Sequence, residues 1–184
     1  HVPHASAQEH LLTDTLALVC AQCHDDVRVT TAATVSTHAP VGNGDCTACH
    51  QPHYAGQDHL LLDRPDQLCL SCHTDLQKRM AGGVDHPPAA EGDCLGCHQP
   101  HQSNLSTLLV EPVPGMCLNC HDGTTAEFTA KHLGLTGEQI DCRKCHDPHV
   151  GADSTMIQQF QHDPFSGGDC SVCHQSGSAG KGKN

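Results

Sequence analysis

Seven copies of the pattern Cys-x-x-Cys-His constrain this chain more than any other feature, and together they use all 14 of its cysteines. The pattern is the attachment site of a c-type haem, where two thiols bond the porphyrin and the adjacent histidine binds the iron. Residues i, i+3 and i+4 share one face of a helical turn, so both sulfurs and the imidazole meet one porphyrin edge. We expect seven haems, with thioether cysteines and proximal histidines at Cys20, Cys23 and His24; Cys46, Cys49 and His50; Cys69, Cys72 and His73; Cys94, Cys97 and His98; Cys117, Cys120 and His121; Cys142, Cys145 and His146; and Cys170, Cys173 and His174.

Two other uses of cysteine fit this pattern poorly. A disulfide framework gives no reason for a histidine after every second cysteine, and cysteines three apart in one helical turn have poor disulfide geometry. Structural zinc would join the Cys-x-x-Cys units two by two. Seven is an odd number of units to join, and zinc would not require seven adjacent histidines.

The composition predicts the fold class. The chain has 184 residues but no Trp, one Tyr and three Phe. Such a sequence lacks the side chains for an ordinary hydrophobic core and resembles a disordered one in composition. Covalently fixed haems are large apolar bodies that can replace that core. We therefore expect a mostly irregular fold with short α-helices near the motifs, little or no β-structure, and a chain wrapped around a stack of haems.

Net charge and hydropathy restrict partners and location. The formal charge is −12 with neutral histidine, and haem propionates would add to it. This disfavours nucleic acid and favours cationic partners. No segment is long and apolar enough to span a membrane, and no signal peptide is visible at His1. Because c-type haems are attached outside the cytoplasmic membrane, we expect an exported protein in the periplasm or outside the cell.

The motifs recur with a period of 48 residues, which separates Cys46, Cys94 and Cys142, and also Cys69 and Cys117. Two motif types alternate: one lies in a Leu-rich setting, and the other follows an Asp. This periodicity indicates internal repeats. We predict a single domain, 1–184, made of a partial repeat at 1–19, two-haem repeats at 20–68, 69–116 and 117–161, and a single-haem unit at 162–184.

Further histidines keep register with the second motif type. One set lies eight or ten residues before the first cysteine, and another ends the element His-x-Pro-His. In these motifs the chain resembles the doubled Cys-x-x-Cys-His family of multihaem cytochromes c, over essentially its whole length. A second histidine on the iron gives a low-spin electron-transfer haem. We predict distal ligands at His38, His53, His86, His101, His132, His149 and His162.

Each His-x-Pro-His histidine should serve a neighbouring haem, since a residue three after the proximal ligand stays on that ligand's side of its own haem. Proline at the second position ends the helix and directs the chain away. We interpret His10 and His59 as outer or solvent residues, because the third copy has Thr107 there. Met80, Met116 and Met156 are interpreted as packing residues.

The first residues, His1-Val2-Pro3-His4, repeat the His-x-Pro-His element without cysteines, whereas Gly177 replaces the last histidine of the final element. Three explanations are open: a fragment of a longer array, an eroded repeat whose His4 binds a haem of its own chain, or head-to-tail association in which His4 binds a haem of a neighbouring subunit. Head-to-tail contacts between identical subunits form filaments when the rotation does not close.

The expected function is electron transfer through seven bis-histidine haems of low potential, with no substrate transformed. The chain would form a homo-oligomeric filament resembling cytochrome nanowires, and would exchange electrons with other redox proteins or extracellular acceptors. One alternative is a soluble periplasmic electron carrier. The other is a multihaem reductase, which would need one haem with an open position and nearby acid–base residues.

Overall fold

Regular structure is short throughout the computed structural model, which describes residues 1–28 and 31–167. The longest helix has eight residues, and every strand has two. The helices are α1 Leu16–Ala21, α2 Asp25–Arg28, α3 Ala39–Asn43, α4 Pro65–Cys72, α5 Thr74–Met80, α6 Pro87–Ala90, α7 Gly115–Leu118, α8 Ala126–Lys131 and α9 Asp163–Ser166. Short 3-10 helices span Glu9–Leu11, Cys46–Ala48, Asp58–Leu60, Cys94–Gly96, Ser106–Leu108, Gly137–Gln139 and Cys142–Lys144. The predicted fold class, mostly irregular with short helices, is confirmed.

The chain divides into two compact units. The first contains residues 1–73 and 92–110, and the second contains 74–91 and 111–184. The predicted single domain and its repeat boundaries remain an interpretation of the sequence.

Each unit contains one antiparallel pair of two-residue strands. In the first unit, β1 (Ser36–Thr37) pairs with β3 (Gln102–Ser103). In the second unit, β2 (Val84–Asp85) pairs with β4 (Val150–Gly151). The two pairs are 48 residues apart in the sequence, so the repeat extends from the motifs to the strand register.

Almost nothing in the described residues forms a hydrophobic core. Only Leu109, Leu135 and Val150 are buried large apolar residues, and each retains 8–9% of its exposure. Ser103, equally buried, donates its hydroxyl to the Leu109 carbonyl at 2.6 Å. The polypeptide is therefore an open wrapping, as its composition predicts.

The two motif types have different local structures. The first type lies in or directly after the α-helices α1, α4 and α7, and α4 begins with a proline, which is well suited to a first helical position. The second type forms the 3-10 helices at Cys46, Cys94 and Cys142, each preceded by an aspartate. Asp93 accepts a hydrogen bond from the Gly96 amide and Asp141 from that of Arg143. Within residues 1–28 and 31–167, no helix has the length and apolar character needed to cross a bilayer.

Candidate functional site

Six of the seven Cys-x-x-Cys-His motifs lie in the described residues, and all six form the same turn. In each, the histidine amide donates a hydrogen bond of 2.9–3.0 Å to the carbonyl of the first cysteine. This bond closes one helical turn, so the two thiols and the imidazole project from neighbouring positions. The seventh motif, at Cys170, Cys173 and His174, lies outside the described residues.

Among the described residues, the predicted proximal histidines His50, His73, His121 and His146 each face a second histidine ring. In the first unit the ring centres of His50 and His101 are 6.1 Å apart, and those of His38 and His73 are 6.2 Å apart. The second unit repeats this geometry, with 6.0 Å between His86 and His121 and 6.2 Å between His132 and His146.

These separations fit an iron between the two rings. A metal–imidazole bond is about 2 Å long and the ring centre lies about 1 Å beyond the nitrogen, so two imidazoles on opposite sides of one iron have centres about 6 Å apart. Phe128 and His132, which are in direct stacking contact, have centres only 4.0 Å apart. The histidine pairs therefore have the donor type and the spacing of the two axial ligands of a haem.

The two small sheets position four of the predicted distal histidines, His38, His86, His101 and His149. His38 follows β1, and its amide donates to the carbonyl of His101 at 2.9 Å; its Nδ1 lies 3.0 Å from the carbonyl of Pro100. His86 follows β2, and its amide donates to the carbonyl of His149 at 2.9 Å. Each strand pair thus brings an upstream histidine next to the last histidine of a His-x-Pro-His element, and this element is the one 48 residues beyond the element that follows the upstream histidine. In both pairs a strand begins directly after that last histidine.

The three described histidines that end motifs of the second type share a hydrogen bond that fixes their tautomer. Nδ1 of His50, His98 and His146 lies 2.8–3.0 Å from the carbonyl of the residue nine positions later. A carbonyl only accepts, so Nδ1 carries the proton and the lone pair of Nε2 remains available for a metal. Such a partner orients a ligating histidine and raises its basicity.

The accepting carbonyls belong to His59, Thr107 and Thr155, on twelve-residue segments that we call histidine loops, 50–61, 98–109 and 146–157. In each loop, the backbone amide of the residue after the histidine also donates a hydrogen bond of 2.7–2.8 Å. The acceptor is the carbonyl of the residue ten positions after the histidine. His59 orients the ring of His50 through its backbone carbonyl. Thr107 can therefore occupy the equivalent position in the next loop. The sequence could not indicate this role, because any residue type provides the carbonyl.

Two of the facing histidines have pKa values that favour the neutral ligand form. Burial and the nearby ring of His121 lower the pKa of His86. Burial and the nearby ring of His50 lower the pKa of His101. A neutral imidazole is the form that binds iron.

Several predicted ligands lie outside these four pairs. His149 is held by its amide, which donates to the Asp147 carboxylate at 2.9 Å. His4 and His162 are exposed and form no ring pair with another described residue, and neither does His24. Their ligand roles remain predictions.

His53 has a partner that the sequence analysis did not identify. Its ring faces that of His1, with centres 5.7 Å apart. The 19-residue spacing from His1 to Cys20, which equals that from His50 to Cys69, is the sequence signal that could have identified His1.

The cysteines of successive motifs are neighbours in space. In the haem-free chain, burial and the adjacent Cys94 raise the pKa of Cys69 to about 11. Burial and Cys46 likewise raise the pKa of Cys20, and burial and Cys72 raise that of Cys49. The first unit therefore brings together consecutive attachment sites, as a continuous path for electrons requires.

Comparison with known proteins agrees with this geometry. No curated protein matches the sequence. The sequence model of the family described as doubled CXXCH motif matches residues 1–29, 38–78 and 86–126, more than half of the chain. Those segments contain five of the seven motifs, and the motifs indicate covalently bound c-type haem and electron transfer. The chain therefore belongs to the doubled CXXCH family of multihaem c-type cytochromes.

Proposed function

We propose that this chain conducts electrons through seven c-type haems, each held between two histidines, outside the cytoplasmic membrane. The observation that carries the proposal is the set of facing histidine pairs, whose ring centres are 6.0–6.2 Å apart in both units. Bound haem iron supplies reversible one-electron exchange between its ferric and ferrous states.

The chain's contribution is ligation and spacing. A histidine on each side of the iron leaves no position open to a substrate, which favours electron transfer over catalysis. The proton held on Nδ1 by the loop carbonyl makes the opposite nitrogen a stronger donor, which stabilises the ferric state and lowers the potential. The acidic chain, with formal charge −12, acts in the same direction. We accordingly propose that the protein is not an enzyme.

The ligation is tested by electron paramagnetic resonance and near-infrared magnetic circular dichroism of the oxidised, haem-loaded protein. We expect low-spin irons with two nitrogen ligands at the motifs of His50, His73, His121 and His146. Predominantly high-spin irons, or irons with a methionine ligand, would contradict the proposal. A high-spin iron that binds nitrite or hydroxylamine and reduces it would favour the reductase alternative.

We further propose that copies of the chain associate head to tail. His24 completes its motif turn, yet no second ring faces it among the described residues. His162 lies eight residues before a motif, as do His38 and His86, and no described ring faces it. Within the described residues, one copy thus has an iron site with no second histidine ring beside it, and also a histidine that could supply one to the next copy.

Electron microscopy of the native, haem-loaded protein separates a filament from a discrete carrier. We expect fibres that are lost in His162→Ala and retained in Gln161→Ala, which truncates the exposed neighbouring side chain. Discrete particles at all concentrations would reject the filament and leave the periplasmic carrier, with His162 free to bind the iron of its own following motif.

A further inference from the structure

We propose that His1 and His53 are the two axial ligands of an eighth haem iron, in a site that no cysteine of this sequence serves. The inference rests on the proposed function, since it uses the same bis-histidine ligation. It adds a site that the seven motifs do not account for.

The pair has the geometry of the motif sites. The ring centres of His1 and His53 are 5.7 Å apart with an angle of 30° between the ring planes. The corresponding values for His50 and His101 are 6.1 Å and 29°. Direct stacking does not account for the pair, because stacked rings such as Phe128 and His132 approach to 4.0 Å.

His1 also has the backbone environment of a proximal histidine. Its Nδ1 lies 2.9 Å from the carbonyl of His10, nine residues later, as in the three histidine loops. The amide of Val2 donates to the carbonyl of Leu11 at 2.6 Å, which repeats the second bond of those loops. Residues 1–12 therefore form a fourth histidine loop, with Nε2 of His1 left to bind a metal.

The family match supports the same equivalence independently. Its first segment ends 28 residues after His1, as the other two end 28 residues after His50 and His98. In those two segments the corresponding histidine completes a Cys-x-x-Cys-His motif. His1 thus occupies the position of an iron ligand in the family pattern.

All 14 cysteines belong to the seven motifs, so none remains for this haem. The group bound between His1 and His53 is therefore an iron porphyrin. It is held either by these two histidines alone or also by cysteines outside this sequence. Both rings are exposed, which leaves room for a porphyrin between them.

The test counts haems and their spin states in the native, haem-loaded protein, before and after one equivalent of ferric haem is added. We compare the unaltered chain with His53→Ala and with the matched control Tyr54→Ala. Tyr54 is the next residue of the same loop, and its side chain is 79% exposed. We expect eight low-spin irons per chain, one fewer in His53→Ala, and eight in Tyr54→Ala.

Extraction with acidified acetone distinguishes the two sources of the porphyrin. An eighth haem that is removed is held by the histidines alone, and one that resists extraction is bound by cysteines. Both results support the site if His53→Ala releases a haem of the first kind or makes the iron of the second kind high-spin. If the histidines alone hold the haem, the affinity of His53→Ala for added haem should be lower than that of the unaltered chain by more than ~10–100-fold. That is the typical loss when an outer-shell partner of a metal ligand is removed.

A second variant, His53→Met, tests the site in case His53→Ala does not fold. It keeps a sixth ligand, so the haem count should stay at eight while one iron acquires the spectrum of histidine–methionine ligation. Seven irons in the unaltered chain with haem added, or eight irons of unchanged ligation in both His53 variants, would overturn the proposal. Neither result would affect the seven motif haems, whose spin states test the proposed function separately.

Discussion

At the scale of single residues, three of the four loop carbonyls that face a histidine Nδ1 come from strained backbone. His10, His59 and Thr107 have φ of 55–57°, and the leucine after each has φ of 56–58°. This left-handed region costs roughly 1–2 kcal/mol for a residue with a Cβ and is least suited to a β-branched one. The same strained conformation recurs in three loops, at the residue whose carbonyl faces a histidine ring. We infer that the strain is maintained because it positions that carbonyl.

Thr107 offers a test of that strain. Thr107→Asn should raise the free energy of unfolding by a few tenths to about 1 kcal/mol, because asparagine tolerates the left-handed region better than threonine does. Part of the gain is offset by the loss of the bond from the Thr107 hydroxyl to the Ser106 carbonyl. Denaturant unfolding of the haem-loaded protein measures the change. Thr155→Asn is the control, since Thr155 occupies the equivalent place without a positive φ; an equal gain there would refute the explanation.

Asp147 makes the stability of one ligand loop dependent on pH. Its carboxylate contacts the Arg79 guanidinium at 2.6 Å and accepts from the amides of His149 and Val150. Burial raises the pKa of Asp147, but these bonds outweigh it and leave the pKa below the ordinary value of 3.8. Because the folded-state pKa is the lower one, the contribution to stability is present above 3.8 and is lost as the pH falls through the folded-state value.

Asp147→Asn should therefore lower stability by about 1–2 kcal/mol at neutral pH and by progressively less in acid. Unfolding midpoints of both proteins across this range give the difference. Gln51→Ala, at the equivalent uncharged position of the first unit, should cost the same at every pH. A difference for Asp147→Asn that persists below the folded-state pKa would contradict the assignment.

At the scale of elements, two glycines allow close packing between consecutive motifs. Each lies in the turn before a motif of the second type and contacts the helix that carries the preceding motif of the first type. Gly44 and Gly92 have φ of 80° and 78°. A Cβ on Gly44 would lie 2.7 Å from the Ala17 side chain in α1, and one on Gly92 would lie 2.6 Å from that of Asp66 in α4. Close approach here is what places Cys69 beside Cys94.

Gly92→Ala should destabilise the protein by about 2–4 kcal/mol, through the left-handed backbone and the overlap with Asp66. Thermal unfolding of the haem-loaded protein would show it as a lowered midpoint. Gly56→Ala is the matched control, because a Cβ there meets nothing within 4 Å. Equal midpoints for the two variants would show that the close approach does not matter.

The sequence predicted candidate ligand histidines, but it did not predict which histidine rings face each other. Register with the repeat identified His38 and His101 as candidate ligands, because spacing from a motif is a local property. Their partners depend on strands at 36–37 and 102–103 meeting in one register, and no local pattern encodes so distant a contact. His1 was missed because the given sequence shows only the His-x-Pro-His part of its element.

At the scale of the whole molecule, the histidine pairs are long-range connections within each unit. The pair His50–His101 spans 51 residues and His86–His121 spans 35. Only three large apolar residues are buried among the described ones. Ligation to an iron that is itself bound to the chain would close these long loops and supply the missing apolar core.

Removing the haems should therefore remove the fold. A variant with all 14 cysteines replaced by alanine cannot attach haem covalently, and the three buried apolar side chains among the described residues cannot offset the conformational entropy of ordering the chain. Circular dichroism on heating should show no cooperative transition. Replacing only Cys20 and Cys23 is the graded control: it removes one haem and should keep a transition with a lower midpoint. A sharp transition in the haem-free chain would mean that the polypeptide folds on its own contacts, and that the ligand pairs are a consequence of the fold and not its cause.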